Sequence, residues 1–334
     1  MRYSELMTGV PVTNIEPIPS GGNNRIFRIE TNTDIFALKI YPRSPDDKRE
    51  RLNAEFNGLS FLHEQNLREV PRAIARDDTH VAALYEWVVG KPIDVVGNDD
   101  VISASRFIQH LFDVSRADIA IKLPIASEAC LSASELVKQI EDRLERLEQA
   151  ASSDTLHAFL KHQFAHFFKE ISERAINIYQ TGSALYDADL DNLYCTLSPS
   201  DFGFHNAIRT ENGEIIFIDF EYFGWDDPVK LVSDFILHPG HTLTDQQKMR
   251  FVTEAFNTYR NDPLFRVRFD ALFPLYGLRW CMILLNAFLP ERMARFLVAG
   301  RHQDSEVAQT EQLRKAEIML ENISTKKDDF THGR

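Results

Sequence analysis

Three oxygen-bearing side chains in the middle of the sequence have types and spacings suited to chemistry on a hydroxyl. Asp201 is followed five residues later by Asn206, and thirteen further on by Asp219. A carboxylate just ahead of a short strand can accept the proton of an attacking hydroxyl. An amide oxygen and a second carboxylate are hard donors, able to share one hard cation or hold a pair of them. The sequence between them predicts how they meet. Asn212-Gly213 is a strong signal for a two-residue type I′ hairpin turn, because both central residues need positive φ. That turn sets Glu211 against Glu214 and Asn206 against Asp219, with Cβ atoms ~5 Å apart across the hairpin.

An upstream half complements this set. Ser20-Gly21-Gly22-Asn23-Asn24 is a glycine-rich turn whose backbone N–H groups could lie over phosphates, with Gly21, Gly22 and Asn24 as the candidates. It is neither a Walker loop nor Gly-x-Gly-x-x-Gly. Phe36-Ala37-Leu38-Lys39-Ile40 then sets a lysine inside an apolar strand. Strand alternation turns Lys39 to the side of Ala37 and Tyr41. Glu55, on the helix that follows, is its natural ion-pair partner.

Asp, Asn five later and Asp after a hairpin is the grammar of a kinase catalytic loop and metal site, and Lys39 matches the Val-Ala-Ile-Lys strand that reaches the α- and β-phosphates. The stretch Ser198–Glu221 resembles the aminoglycoside phosphotransferase and choline kinase-like family, whose loop usually reads His-Gly-Asp-x-x-x-x-Asn and then Asp-Phe/Trp-Glu. The resemblance implies ATP and Mg²⁺ as cofactors, Asp201 as base, and Asn206 and Asp219 as metal ligands. It implies adenine contacts from the main chain of Glu86 to Val88 within Tyr85-Glu86-Trp87-Val88-Val89-Gly90. Pro199 and Ser200 depart from the pattern, standing where the family has histidine and glycine. Asp227 and Asp234 read as scaffold residues, Asp227 as a helix cap. The likeness runs from about Pro17 to Asp234.

These residues need elements to hold them. The first ninety residues read as mainly β, with strands at Arg25–Glu30 and Ile35–Tyr41 joined through Thr31-Asn32-Thr33-Asp34. A helix is expected from about Asp47 to Gln65 with Leu52, Phe56, Leu59 and Leu62 on one face, then a strand over Val81–Val89. Gly90-Lys91-Pro92 reads as a lobe boundary. Beyond it the pattern turns helical, with a capping box at Ser132 and Glu135 and a second helix over Leu156–Tyr179. The β-rich island Asn206–Tyr222 interrupts the helices, which resume to about Ile323. The expected fold is α+β, two-lobed and protein-kinase-like: a nucleotide-binding lobe over 1–90, and over 91–334 a larger, mostly helical lobe with the catalytic loop, metal site and acceptor pocket.

Composition excludes several other classes. The 334 residues are 44% apolar and 26% charged, ordinary for a soluble globular protein. A net charge of −13 argues against a nucleic-acid surface. Three widely spaced cysteines, Cys130, Cys195 and Cys281, fit a reducing compartment. The polar, proline-broken start is no signal peptide, and the apolar run Trp280–Leu289 falls short of the ~20 residues that cross a bilayer. A cytoplasmic monomer or homodimer acting on a small-molecule hydroxyl is the expectation.

Weaker candidates lie elsewhere. His162 and His166 sit four apart without a third ligand and read as a solvated face. Arg279 and Trp280, on a late apolar helix with Tyr276 and Asn286, could wall the acceptor site, although core packing is the stronger reading for Trp280. A protein kinase is disfavoured, because His-Arg-Asp, Asp-Phe-Gly and Ala-Pro-Glu are missing. The rivals are a catalytically inactive nucleotide-binding regulatory protein and an aminoglycoside-type antibiotic kinase. Intact Lys39, Asp201, Asn206 and Asp219 argue against the first. Sugars, amino alcohols, hydroxylated amino acids and aminoglycosides all remain open as acceptors.

Overall fold

The structure, a computed structural model, describes residues 5, 7–18, 24–43, 49–150, 153–290 and 304–326. Gly21 and Gly22 lie outside the described residues, as do 44–48, where the first helix was expected to open. In chain order the strands are β1 (Val12–Ile18), β2 (Arg25–Thr31), β3 (Ile35–Ile40), β4 (Ala73–Asp77), β5 (Ala82–Glu86), β6 (Lys91–Pro92), β7 (Thr196–Ser198), β8 (Ala207–Arg209), β9 (Ile215–Phe217) and β10 (Gly224–Asp226). The helices are α1 (Arg51–Glu64), α2 (Asn98–Val114), α3 (Ala133–Ala150), α4 (Asp154–Phe159), α5 (Ala165–Thr181), α6 (Pro228–Leu237), α7 (Asp245–Thr258), α8 (Phe265–Leu284) and α9 (Asp304–Lys326). Two compact units result. One comprises 1–129, 196–226 and 239–251, and the other 130–195, 227–238 and 252–334.

The first unit is built on an antiparallel sheet in the order β1-β2-β3-β5-β4. Thr31 closes the β2–β3 turn, its Oγ1 accepting from the Asp34 N–H at 3.0 Å. Alternation gives the sheet two different faces. Ile29, Leu38 and Leu84 join Val12 and Ala82 in an apolar cluster. Lys39, opposite Ile26 and Ala83, projects to the other face. Helix α1 buries Leu52, Leu59 and Leu62 as its spacing predicts, together with Arg51 and Glu55. Phe56 is only half-buried, its ring 6.4 Å from that of Tyr85. The strand expected over Val81–Val89 is shorter, Ala82–Glu86, with Val81 just ahead of it at φ +50° and its carbonyl still accepting the Tyr41 N–H at 3.0 Å.

The second unit centres on α8, against which α3, α5, α6 and α9 pack. The run Trp280–Leu289 is the tail of this longer helix and of the 3₁₀ turn Leu285–Phe288. The combined stretch Phe265–Phe288 is long and apolar enough to cross a membrane, but 83% of its most apolar window is buried inside the protein, as in a core helix. The helix expected over Leu156–Tyr179 is interrupted by a π turn, Leu160–Phe164. His162 and His166 are exposed. Trp280 is buried and donates Nε1–H to Asp234 at 2.8 Å, and Arg279 is buried beside Gln139.

Asp227 caps α6, accepting the Val229 N–H at 2.7 Å. It also pairs with Arg268, which reaches Asp262 at 2.6 Å, all three being buried. Breaking such a pair from one side leaves uncompensated charge. Arg268→Met is expected to lose about 3–5 kcal/mol of stability, read as a lower urea midpoint.

Candidate active site

The catalytic-loop candidates hang from β7, which pairs with β10. After it the chain turns sharply, with the Ser200 N–H on Ser198 Oγ at 3.0 Å and Ser200 itself at φ +64°. Glycine occupies this left-handed region without strain, and serine does not. Asp201 follows, partly exposed, and Phe202 turns inward. The amide Nδ2 of Asn206 donates to the Asp201 carbonyl at 3.0 Å and to its Oδ2 at 3.2 Å. His205 Nε2 lies 3.2 Å from Oδ1.

The hairpin differs from expectation by one residue. Ala207 pairs with Phe217, Ile208 with Ile216 and Arg209 with Ile215. The Thr210 N–H reaches the Glu214 carbonyl at 2.9 Å, and the Gly213 N–H the Thr210 carbonyl at 3.0 Å. The loop is therefore Glu211-Asn212-Gly213, with only Gly213 at positive φ (+84°), a three-residue turn closed by a left-handed glycine. Asn206 consequently faces Ile218, whose N–H donates to the Asn206 carbonyl at 2.9 Å. Asp219 stands one residue beyond, at φ +67°, which aspartate tolerates better than most residues.

Asp219 joins the upstream half directly. Lys39 Nζ lies 2.5 Å from Asp219 Oδ1, 2.6 Å from Glu55 Oε2 and 4.0 Å from Glu221 Oε2. Burial alone would lower the lysine's pKa; Asp219, Glu55 and Glu221 outweigh that and raise it, so the ammonium stays charged. Burial pushes the Glu55 carboxyl up while Lys39 pulls it back. Glu55 also accepts the Tyr41 hydroxyl at 2.8 Å and, on Oε1, the Phe220 N–H at 3.3 Å. Tyr41 meets Tyr85 at 2.6 Å, and burial raises both phenols so that they remain neutral.

Glu221 was not among the expected site residues. Buried, it takes Arg51 Nη1 at 2.5 Å on one oxygen and Asn24 Nδ2 at 2.6 Å on the other. The end of the glycine-rich turn is thus tied to the residue two beyond Asp219. Arg51 also donates to the Tyr222 hydroxyl at 2.9 Å. Its position at the start of α1 gave no sequence signal. His205 was legible only as a histidine adjoining Asn206. Glu86 is exposed, and its amide donates to the Arg72 carbonyl at 2.9 Å, so its carbonyl, with the main chain of Trp87 and Val88, makes up the connector's candidates.

Comparison with known proteins gives the family and the fold. A family model described as the phosphotransferase enzyme family matches residues 14–264. The chain belongs to that family. A spectinomycin phosphotransferase in complex with ADP and spectinomycin superposes at TM-score 0.60 and 13% identity, over 95% of this chain and 96% of that one. A choline kinase from Cryptosporidium parvum gives 0.57 and 14%, over 99% and 98%. The ADP-bound aminoglycoside phosphotransferase APH(2'')-Ib gives 0.57 and 14%, over 98% of each chain. Comparison with curated proteins found no match. The fold of this phosphotransferase is kinase-like, with a β-rich N-terminal part and a mostly helical C-terminal part.

Ser200 offers a test of the loop's backbone. Because the left-handed region costs a non-glycine residue roughly 1–2 kcal/mol, Ser200→Gly is expected to stabilise the phosphotransferase by about 0.5–1 kcal/mol after the added chain entropy, seen in urea unfolding. A lower midpoint would mean that the serine side chain outweighs the strain.

Proposed function

We propose that this phosphotransferase moves the γ-phosphate of ATP to a hydroxyl of a small metabolite such as a sugar or an amino alcohol. The observation that carries the proposal is the buried Lys39 ammonium, held between Glu55 and Asp219 at 2.6 and 2.5 Å. A lysine so placed offers a fixed positive charge to the phosphates of a nucleotide. The oxygen set fits Mg²⁺: Asp219 presents a partly exposed carboxylate, and Asn206, by giving Nδ2 to Asp201, turns its own oxygen away from that residue. Bound there, Mg²⁺ would neutralise charge on the transferring phosphoryl group.

Asp201 then orients the acceptor. As its hydroxyl oxygen bonds to the γ-phosphorus, the bond to the leaving ADP oxygen breaks and the hydroxyl proton passes to the Asp201 carboxylate. Main-chain groups from Glu86 to Val88 are the proposed adenine contacts, and Gly21 and Gly22 the proposed phosphate cover. The same reading takes 1–90 as the nucleotide-binding lobe and the protein as cytoplasmic. An aminoglycoside as acceptor would make it an antibiotic kinase; the choice is made by incubating the enzyme with a metabolite extract and γ-labelled ATP and finding what gains phosphate.

Three substitutions test the assignments separately. Lys39→Ala should abolish the rise in melting temperature that MgATP gives the wild type; no rise in the wild type with any purine nucleotide would sink the reading. Asp219→Ala should remove Mg²⁺-dependent turnover and Asn206→Ala should impair it less, a neutral amide being the weaker ligand. Turnover that survives EDTA would dismiss both. Asp201→Asn should keep nucleotide affinity and melting temperature while kcat falls at least ~10²-fold. A wild-type rate in that variant would remove Asp201 from the chemistry.

A further inference from the structure

We propose that His205 is a positioning residue for Asp201, fixing the carboxylate in the rotamer from which it serves the acceptor hydroxyl. The inference rests on the reading of Asp201 as base, and its geometry lies within the first compact unit. The 3₁₀ turn Phe204–Asn206 folds back on Asp201 so that consecutive side chains grip different oxygens. His205 Nε2 stands 3.2 Å from Oδ1, and Asn206 Nδ2 3.2 Å from Oδ2. An acceptor-only carboxylate facing two donors cannot rotate about χ2 without losing both.

The imidazole is itself held. Its side chain is 18% exposed, and its plane lies 14° from that of His241, the ring centroids 6.2 Å apart. Phe204 meets the same His241 edge-on at 5.6 Å. Gly203 makes room for the rings. A Cβ there would stand 2.7 Å from His205 Nδ1, 2.9 Å from its Cε1 and 2.9 Å from His241 Cε1. Gly203 is extended at φ 171°, so this glycine answers to space and not to backbone strain. The arrangement requires hydrogen on Nε2, donating to Oδ1.

Two measurements decide it. Long-range ¹H–¹⁵N spectra of histidine-labelled protein, with His205→Gln supplying the assignment, should show the Nε2–H tautomer at His205. A Nδ1–H tautomer overturns the proposal. Kinetics follow ADP formation from MgATP with water as acceptor. His205→Ala should lower kcat on the order of 10- to 100-fold, with KM for MgATP within about twofold of wild type. His205→Gln, whose amide nitrogen can stand near Nε2, should recover most of the rate. In an Asp201→Asn background His205→Ala should cost nothing further, because it acts through the carboxylate. Gly203→Ala should reproduce the His205→Ala loss. A wild-type kcat for His205→Ala, or the same loss in both backgrounds, overturns the inference while Asp201 stands. A wild-type rate in Asp201→Asn overturns the base assignment itself.

Discussion

One ammonium group organises the candidate site. Lys39 is 4% exposed and lies within 4.0 Å of three carboxylates from two separate stretches of chain. Glu55 comes from α1, and Asp219 and Glu221 from the segment after β9. Without a cation at their centre, these acids would repel one another in a region that water screens poorly. With it, the sheet, the helix and the island share one electrostatic centre. Desolvation makes the lysine costly to bury and equally costly to leave unpaired, so strand and helix have little latitude in how they meet.

The carboxylates are aimed by packing as much as by charge. Phe202 follows Asp201, and Phe220 follows Asp219. Both are buried around Phe107 of α2, whose ring lies 4.4 Å from Phe217, 5.6 Å from Phe202 and 6.4 Å from Phe220. In each loop a buried aromatic directly follows a partly exposed aspartate, so anchoring the ring sets the position of the oxygen beside it. Pre-organisation of this kind limits the reorganisation needed at the moment of reaction.

Much of this was legible in the sequence, for physical reasons that differ by residue. Lys39 could be read because a charge inside an apolar strand is conspicuous, and Glu55 because a helix follows that strand. Asp227 could be read as a cap because Pro228 at the next position opens a helix. The hairpin register could not. Asn-Gly favours a two-residue turn, yet Thr210 and Glu214 close a three-residue one, and local chemistry does not separate loops that differ by one position. Arg51 and Glu221 were opaque because their pairing joins residues 170 apart along the chain. The left-handed backbone at Ser200 was hidden too, since only a glycine there would have announced it.

The hairpin tip has a bearing on how such a chain can change. Gly213 projects where an added Cβ would find nothing within 4 Å, and Glu211, Asn212 and Glu214 beside it are exposed. The Thr210–Glu214 bond closes the ladder behind them, so the register that fixes Asn206 and Asp219 is set before the tip is reached. Extra residues there would be added to solvent, and closing a somewhat longer loop costs little, on the order of 0.6 kcal/mol per doubling of length. A position open to insertion therefore lies only a few residues along the strands from closely held side chains, and new surface could be grown beside this site without disturbing its oxygens.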